Sequence, residues 1–461
     1  MRRIVLVAIG GLLLTTGCSF APKYARPAMP VPPALPAASA EGADLAPKVP
    51  WREFITDDRL RSVVDLVLGN NRDLRVAALN AERVGAFYRI QRSELYPSVG
   101  AGATLTHSRV PASLSPTGEA YSATQYSVGL AMTSWELDVF GRIRSLKDEA
   151  LNQYLAAQQL TVATRISLIA ATASAYYSLA ADAENRDLAQ STLEAQQRSL
   201  DLIQKSRDAG VASDLDVRQA ETQVESARAD AARFGGLVEL DRHTIEELAG
   251  AAVADALLPK SLAEVTPLKP VSAGLSSEIL LDRPDILAAE YQLKAANADI
   301  GAARAAFFPK ISLTGQAGLS SGDLSELFKW GARSWSFTPS IVTPIFTAGS
   351  LKANLQASRV GRDIAVAQYE KAIQGAFRET SDSLTLRTTL VAERTADEAL
   401  VKALEDTYRL SDARYKAGID SYLGVLVAQR SLFGAQQALV GIRLAELQNL
   451  VNLYKVLGGG V

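Results

Sequence analysis

Few side chains in this sequence could take part in covalent or metal chemistry. The best placed is Cys18, the only cysteine in 461 residues. A lone thiol excludes an internal disulfide and any thiolate cluster. It leaves two readings, a point of covalent modification or a buried, incidental cysteine. The two histidines, His107 and His243, are far apart in sequence and cannot make a histidine-rich metal centre, so no metal is expected. Asp148 with Glu149, and Glu246 with Glu247, look like acid pairs, but adjacent residues on a helix do not face each other, and they read as solvated faces. Gly458-Gly459-Gly460 lacks the Lys-Ser/Thr and the following helix of a phosphate loop. No nucleophile has a base beside it, and no enzyme is expected. A formal net charge of -2 with no basic stripe gives no reason to expect nucleic acid.

The segment around Cys18 narrows its reading. Arg2 and Arg3 precede an apolar run from Ile4 to Leu14, too short to span a membrane as a helix. Residues 1–17 therefore read as a signal peptide. Thr15-Thr16-Gly17-Cys18 resembles a bacterial lipoprotein processing site, with Thr15 where leucine is usual. Acylation of Cys18 would hold the chain to lipid through several acyl chains. That covalent lipid is the only non-protein group expected. Ser19 after the cysteine favours the outer membrane, by the same resemblance. Residues 18–56 read as a lipidated tether, because Pro22, Pro27, Pro30, Pro32, Pro33, Pro36, Pro47 and Pro50 oppose helix.

The elements behind this tether come twice. Asn71-Arg72-Asp73-Leu74 opens a helical run ending at Pro97, and Asp282-Arg283-Pro284-Asp285 opens one ending at Pro309. Both markers are offset by 212 (285 − 73 and 309 − 97). Further on, Asp208-Ala209-Gly210-Val211 is echoed by Lys416-Ala417-Gly418-Ile419, now offset by 208 (418 − 210). The first repeat spans 57–250, a linker and equatorial region 251–282, and the second repeat 283–461. Each reads as helix, strand pair, long helix, turn, long helix.

After each proline the period of the pattern drops to two. Strands are expected at about 98–108 and 125–136, then about 310–320 and 334–345. Their lengths suit a tilted membrane strand; a soluble hairpin with one wet face is the alternative. Trp135 and Trp335 fit an aromatic belt or a core. Four strands cannot close a barrel, so several chains would have to contribute. Long helices follow at 142–205, 212–249, 350–416 and 421–457. Arg142 to Lys205 alone has no glycine or proline, roughly 96 Å of helix. Its apolar side is small, with Ala163, Ala170, Ala173 and Ala180 among Ile166, Ile169, Tyr176 and Tyr177. Glycine C-caps are expected at Gly210 and Gly418.

Several local motifs then carry a resemblance over essentially the whole chain. They are Cys18 to Pro27, Trp51-Arg52-Glu53-Phe54, Gly69 to Leu74, Trp135 to Arg142, Arg283 to Ile286, Pro344 to Gly349, and Asn452 to Gly460. Together they resemble the outer membrane channel lipoproteins of tripartite RND-type multidrug efflux pumps, the TolC family of outer membrane factors. The resemblance implies a mixed α/β membrane protein: a homotrimer with a 12-stranded transmembrane β-barrel, four strands per chain, continued by a long periplasmic α-helical barrel. It implies a passive exit duct for drugs and other small molecules. Its partners would be a periplasmic membrane fusion (adaptor) protein, an inner-membrane proton-driven RND pump and outer membrane lipid. It places a gate at Leu423 and Val427, where the family carries a hydrophobic ring and, in the member most like this chain, an aspartate. Leu215, Asp214, Asp216, Asp420 and Arg430 lie nearby as further gate or latch residues, with helix caps and solvated positions as the alternative. A protein-secretion conduit and a helical stalk lipoprotein are the other functions compatible with the sequence.

Overall fold

The computed structural model describes residues 20–36, 45–46, 49–274 and 276–460, so Cys18 and the segment before it lie outside the described residues. In chain order its elements are α1 (Trp51–Phe54), α2 (Asp58–Asn70), α3 (Arg72–Ser93), β1 (Val99–Val110), β2 (Tyr121–Glu136), α4 (Arg142–Asp208), α5 (Asp214–Ala249), α6 (Pro284–Ala305), β3 (Lys310–Ser321), β4 (Arg333–Val342), α7 (Ser350–Lys416) and α8 (Tyr422–Val456). The strands differ from the expected bounds by one to four residues; β2 starts earlier, at Tyr121, because it pairs with β1 up to Val110. Pro344 lies beyond the last paired residue of β4, Val342, where a missing N–H costs the ladder nothing. The chain forms two compact units. One comprises Met1–Ala28, Asn80–Ala157 and Ala288–Tyr369, the other Met29–Leu79, Gln158–Leu287 and Glu370–Val461.

The first unit is built on an antiparallel sheet in the order β1-β2-β3-β4. Both outer strands, β1 and β4, have one unpaired edge, which is the feature that demands neighbours. Pro339, opposite Leu313, is tolerated because β4 is such an edge. In the middle of the sheet Gly129 faces Gly318. A Cβ at Gly129 would stand 2.6 Å from the Ala317 carbonyl oxygen, so the close β2–β3 crossing needs glycine on both sides. A bulge between Met132 and Trp135 puts Ser134 at φ 48° and re-aims the end of β2. Trp335 is 81% exposed, whereas Trp135 is half-buried. His107 forms a cross-strand pair with Thr124 at 2.9 Å. At the end of β2, Asp138 caps α4, accepting from the backbone of Ile143 (3.0 Å) and Arg144 (2.9 Å).

In this unit residues 20–26 of the tether form a docked strap. Phe20 stacks on Phe308 at 4.5 Å between ring centroids. Arg304 donates to the Phe20 carbonyl (3.0 Å) and Asn297 to that of Pro22 (2.7 Å). Gly301 lets the strap approach α6: a Cβ there would lie 2.8 Å from the Ala21 nitrogen. Tyr24 donates to Glu290 at 3.0 Å, and Arg26 grips the same carboxylate with two nitrogens, at 3.2 and 2.7 Å.

The second unit is helical. Asn71 opens a helical run as expected, and between α2 and α3 it acts as a cap. Asn71 accepts from the Leu74 N–H (3.0 Å) and donates to the Leu248 carbonyl (2.9 Å). Tyr176, Tyr177 and Ala180 of α4 are fully buried, and the small residues between them allow close helix approach. Three short 3₁₀ turns, Asp255–Leu257, Leu262–Glu264 and Ser277–Asp282, lie in the linker. Arg283 is buried and satisfied by the Val456 carbonyl (2.7 Å), Asp285 (2.7 Å) and Glu379 (3.0 Å). The glycine tail pairs with the end of the tether: Trp51 donates to the Gly460 carbonyl at 3.1 Å, and Tyr454 stacks on Phe54 at 4.0 Å.

Candidate gate at the helix tips

Two reversals, α4 to α5 and α7 to α8, end the second unit. Each is set by a glycine in the left-handed region, Gly210 at φ 76° and Gly418 at φ 72°. The backbone N–H groups fold back in the same way at both. Gly210 donates to Arg207 and Val211 to Ser206; Gly418 donates to Tyr415 and Ile419 to Arg414. These are paired Schellman closures that satisfy the last carbonyls of α4 and α7. The next helix then starts at once. Ser213 accepts from the Asp216 N–H (3.2 Å), and the Asp216 carboxylate accepts from the Ser213 N–H (2.9 Å), a complete capping box. Ser421 occupies the N-cap of α8 without a side-chain bond.

Beneath the reversals the four helices meet. Ile203 of α4, Val217 and Ala220 of α5, and Tyr422, Val425 and Leu426 of α8 form one buried cluster, with Tyr408 and Tyr415 of α7 against it. Each buried aliphatic side chain contributes about 1.5–3 kcal/mol. Tyr415 and Tyr422 lie 5.3 Å apart, and burial pushes the Tyr422 hydroxyl up to about 12. This cluster fixes the rotation of α8. With Tyr422, Val425, Leu426 and Gln429 turned inward, Leu423, Val427 and Arg430 form the opposite stripe, at i, i+4 and i+7. Leu423 is 52% and Val427 59% exposed.

The charged candidates serve their own turns. Arg414 clasps Asp420 with two nitrogens, at 2.5 and 3.0 Å, across the α7–α8 reversal. The Arg414 hydrogen bonds hold the exposed Asp420 carboxyl below the usual carboxylate range. Asp216 is occupied in the cap. Asp214 lies 3.7 Å from Arg207, which pairs more closely with Asp208 at 2.7 Å. Arg430 stands apart from Asp420, over a small cavity of about 40 Å³ with Gln196, Gln223, Asp230 and Phe433 on its walls. Leu215, 65% exposed, opens α5 as Leu423 opens α8. The Arg207 and Arg414 braces were missed in the sequence. The signal was there: a basic residue in the last turn before each capping glycine, where it complements the helix dipole.

Chemically the stripe can do little but line a passage. Two aliphatic side chains one turn apart present no group for catalysis or metal binding. Repeated around an axis, they would make a narrow apolar ring that sheds water.

Comparison with known proteins supplies the context. The family described as Outer membrane efflux protein matches residues 63–251 and 275–459. Two relatives from Pseudomonas putida, the antibiotic efflux pump outer membrane protein ArpC and the toluene efflux pump outer membrane protein TtgC, are each 48% identical over 465 residues, covering 100% of this chain and 96% of theirs. Among solved structures, a membrane protein from Pseudomonas aeruginosa superposes with a TM-score of 0.91 at 42% identity, covering 96% of this chain and 98% of that one.

Proposed function

The chain belongs to the outer membrane efflux protein family, and we infer that it is the outer membrane exit duct of a tripartite multidrug efflux pump. The duct is passive, and no step of covalent chemistry is needed of it. The observation that carries this reading is the sheet whose two edges are bare, duplicated in sequence together with two 67-residue helices. Three copies closing edge to edge would make a 12-stranded barrel in the outer membrane. Their long helices would extend it into the periplasm. The tips would engage a periplasmic adaptor and, through it, a proton-driven pump of the inner membrane. Toluene and antibiotics, named for the two relatives, are small molecules of the kind such a duct passes.

Two site assignments belong to this reading. Leu423 and Val427 would form the constriction. Val427 in place of a carboxylate would make the ring apolar throughout and weaken any preference for cations. Cys18 would carry the lipid. Its support is the strap: Phe20 is held on Phe308, next to the start of β3, and two residues of chain reach at most about 7 Å further.

The test is accumulation of a fluorescent pump substrate in cells with the gene deleted and then restored. Higher accumulation on deletion, reversed on restoration, is expected. No change, with the partner pump expressed, would overturn the efflux assignment and favour a protein-secretion conduit. Mild cross-linking in detergent that yields only monomers would overturn the shared barrel.

A further inference from the structure

The sheet of the first unit has one polar and one apolar face, and two arginines stand on the apolar one. Trp335 of β4 lies opposite Ala317 of β3, Ala317 opposite Leu130 of β2, and Leu130 opposite Ala101 of β1. Side chains along such a row share a face, and so do alternate residues of each strand. Arg333, Trp335, Phe337 and Ile341 are therefore on one face with Ala101, Leu105 and Arg109. Ser334, Ser336, Thr338 and Ser340 are on the other. In a barrel that crosses a membrane, the apolar face meets lipid. Arg109 and Arg333 are the last residues of that face at the end where loops 111–120 and 322–332 join the strands, opposite the end that leads into the helices.

Charge is balanced at the helix end of the sheet and unbalanced at the loop end. Glu136 is the one carboxylate in the four strands; it sits at the helix end, matched by Arg142 at 2.7 Å and Lys310 at 3.1 Å. At the loop end Glu326 is taken by Lys329. Arg109 and Arg333 are exposed, and their guanidinium groups meet no carboxylate or other acceptor among the described residues. Arg333 is nevertheless held. Its guanidinium lies 3.1 Å over the Trp330 ring, which is itself 77% exposed. A 3₁₀ turn, Trp330–Ala332, places that ring; the Ala332 N–H donates to the Lys329 carbonyl at 3.0 Å, and β4 begins at the next residue. Stacking covers one side of the planar fork and leaves its N–H donors free at the edge.

We propose that Arg333, oriented by Trp330, and Arg109 bind the phosphate groups of a lipid in the leaflet facing the cell exterior, on the outer wall of the barrel. This rests on the membrane barrel described under the proposed function. Arg333 stands about 7 Å beyond Trp335 along the strand, just past the apolar band, where head groups begin. A guanidinium fork matches a phosphate with two parallel N–H bonds, which a solvating water cannot do. Both arginines lie on edge strands. Closing three sheets edge to edge sets β1 of one chain beside β4 of the next, so every seam between chains carries one arginine of each kind. A head group with more than one phosphate then ties neighbouring chains together at the rim.

The experiment is native mass spectrometry of the purified full chain in neutral detergent. The probes are diphosphoryl lipid A, the same glycolipid with its phosphates removed, and inorganic phosphate. The wild-type trimer should retain the phosphorylated lipid in preference to the dephosphorylated one. Arg333→Gln and Arg109→Gln should each weaken its binding about fivefold, and the double variant about 25-fold. Ser334→Ala, on the opposite face, should bind as the wild type does. Heat-resistant trimers on gels establish that each variant assembles. Binding by the double variant within about twofold of wild type would overturn the proposal and leave the two arginines merely solvated. So would equal retention of the dephosphorylated lipid, or complete displacement by inorganic phosphate, since the site would then recognise no lipid head group. A wild-type chain that forms no trimer would instead refute the barrel, and this inference with it.

Discussion

Replacing Glu290 with alanine should release the strap, and the structure says by how much. Glu290 is the common acceptor for Tyr24 and Arg26, and its side chain is only 4% exposed. A hydrogen bond to a charged group contributes about 1.5–3 kcal/mol. Arg26 is 46% exposed, so its share is discounted for solvent screening. A net loss of about 2–3 kcal/mol for the two anchors is reasonable, which raises the population of the lifted strap about 30- to 150-fold. The Phe20 stack and the bonds from Asn297 and Arg304 remain, so release is confined to residues 23–27. Trypsin can read this at the Lys23–Tyr24 bond, with Pro27 protecting the bond after Arg26. When opening is fast relative to cleavage, the rate follows the open population. Cleavage within about threefold of wild type, in a variant whose trimer and melting are intact, would show that the carboxylate does not hold the strap. Acid should act in the same direction. Burial opposes ionisation of Glu290, but hydrogen bonds from Arg26, Lys294 and Tyr24 hold it below the ordinary carboxylate range. Its contribution is therefore present at neutral pH and lost as pH falls through that lowered value.

Other expectations follow from the tips and the sheet. Leu423→Ser should raise single-channel conductance in a planar bilayer, and an unchanged conductance would move the constriction elsewhere. Val427→Asp should raise cation selectivity in the same recording; equal reversal potentials for the two proteins would show that this position does not face the permeating ions. Gly318→Val would drive a side chain into the β2 backbone at Val128 and Gly129, costing about 1–3 kcal/mol or more, and should reduce the yield of heat-resistant trimer on gels. Asp420→Asn should loosen the α7–α8 reversal at neutral pH, seen as faster amide exchange at Gly418 and Ile419. Wild type and variant should converge as pH falls through the lowered Asp420 value, because protonation removes the same bond from the wild type.

What could be read from the residues alone divides along sequence distance. Strand alternation after Pro97 and Pro309, the Asn71 break and the glycine reversals are local patterns, and each was legible. Contacts between distant segments were not. Tyr24 and Arg26 meet Glu290 across more than 260 residues, and a proline-rich stretch carries no mark of the groove it fills. Arg283 stands in a legible motif, yet its reason, a buried guanidinium closing on the carbonyl of Val456, depends on the far end of the chain. The stripe at Leu423, Val427 and Arg430 came from resemblance. Its periodicity is weak because the exposed face of α8 is itself apolar or small, with Gly424, Ser431, Gly434 and Ala438 continuing it. Burial could not be inferred from hydrophobicity where both faces carry little charge.

The bare edges of the sheet have a consequence in genetics. If every barrel needs three chains, each lending an edge to the next, one chain with a spoiled edge leaves a gap that its two sound neighbours cannot fill. A defective copy expressed equally beside a sound one would leave only about one barrel in eight free of it, if subunits mix at random. Edge-strand variants of β1 and β4 should therefore behave as dominant inhibitors of drug resistance, whereas variants that fail to fold at all, and never reach the assembly, should be recessive.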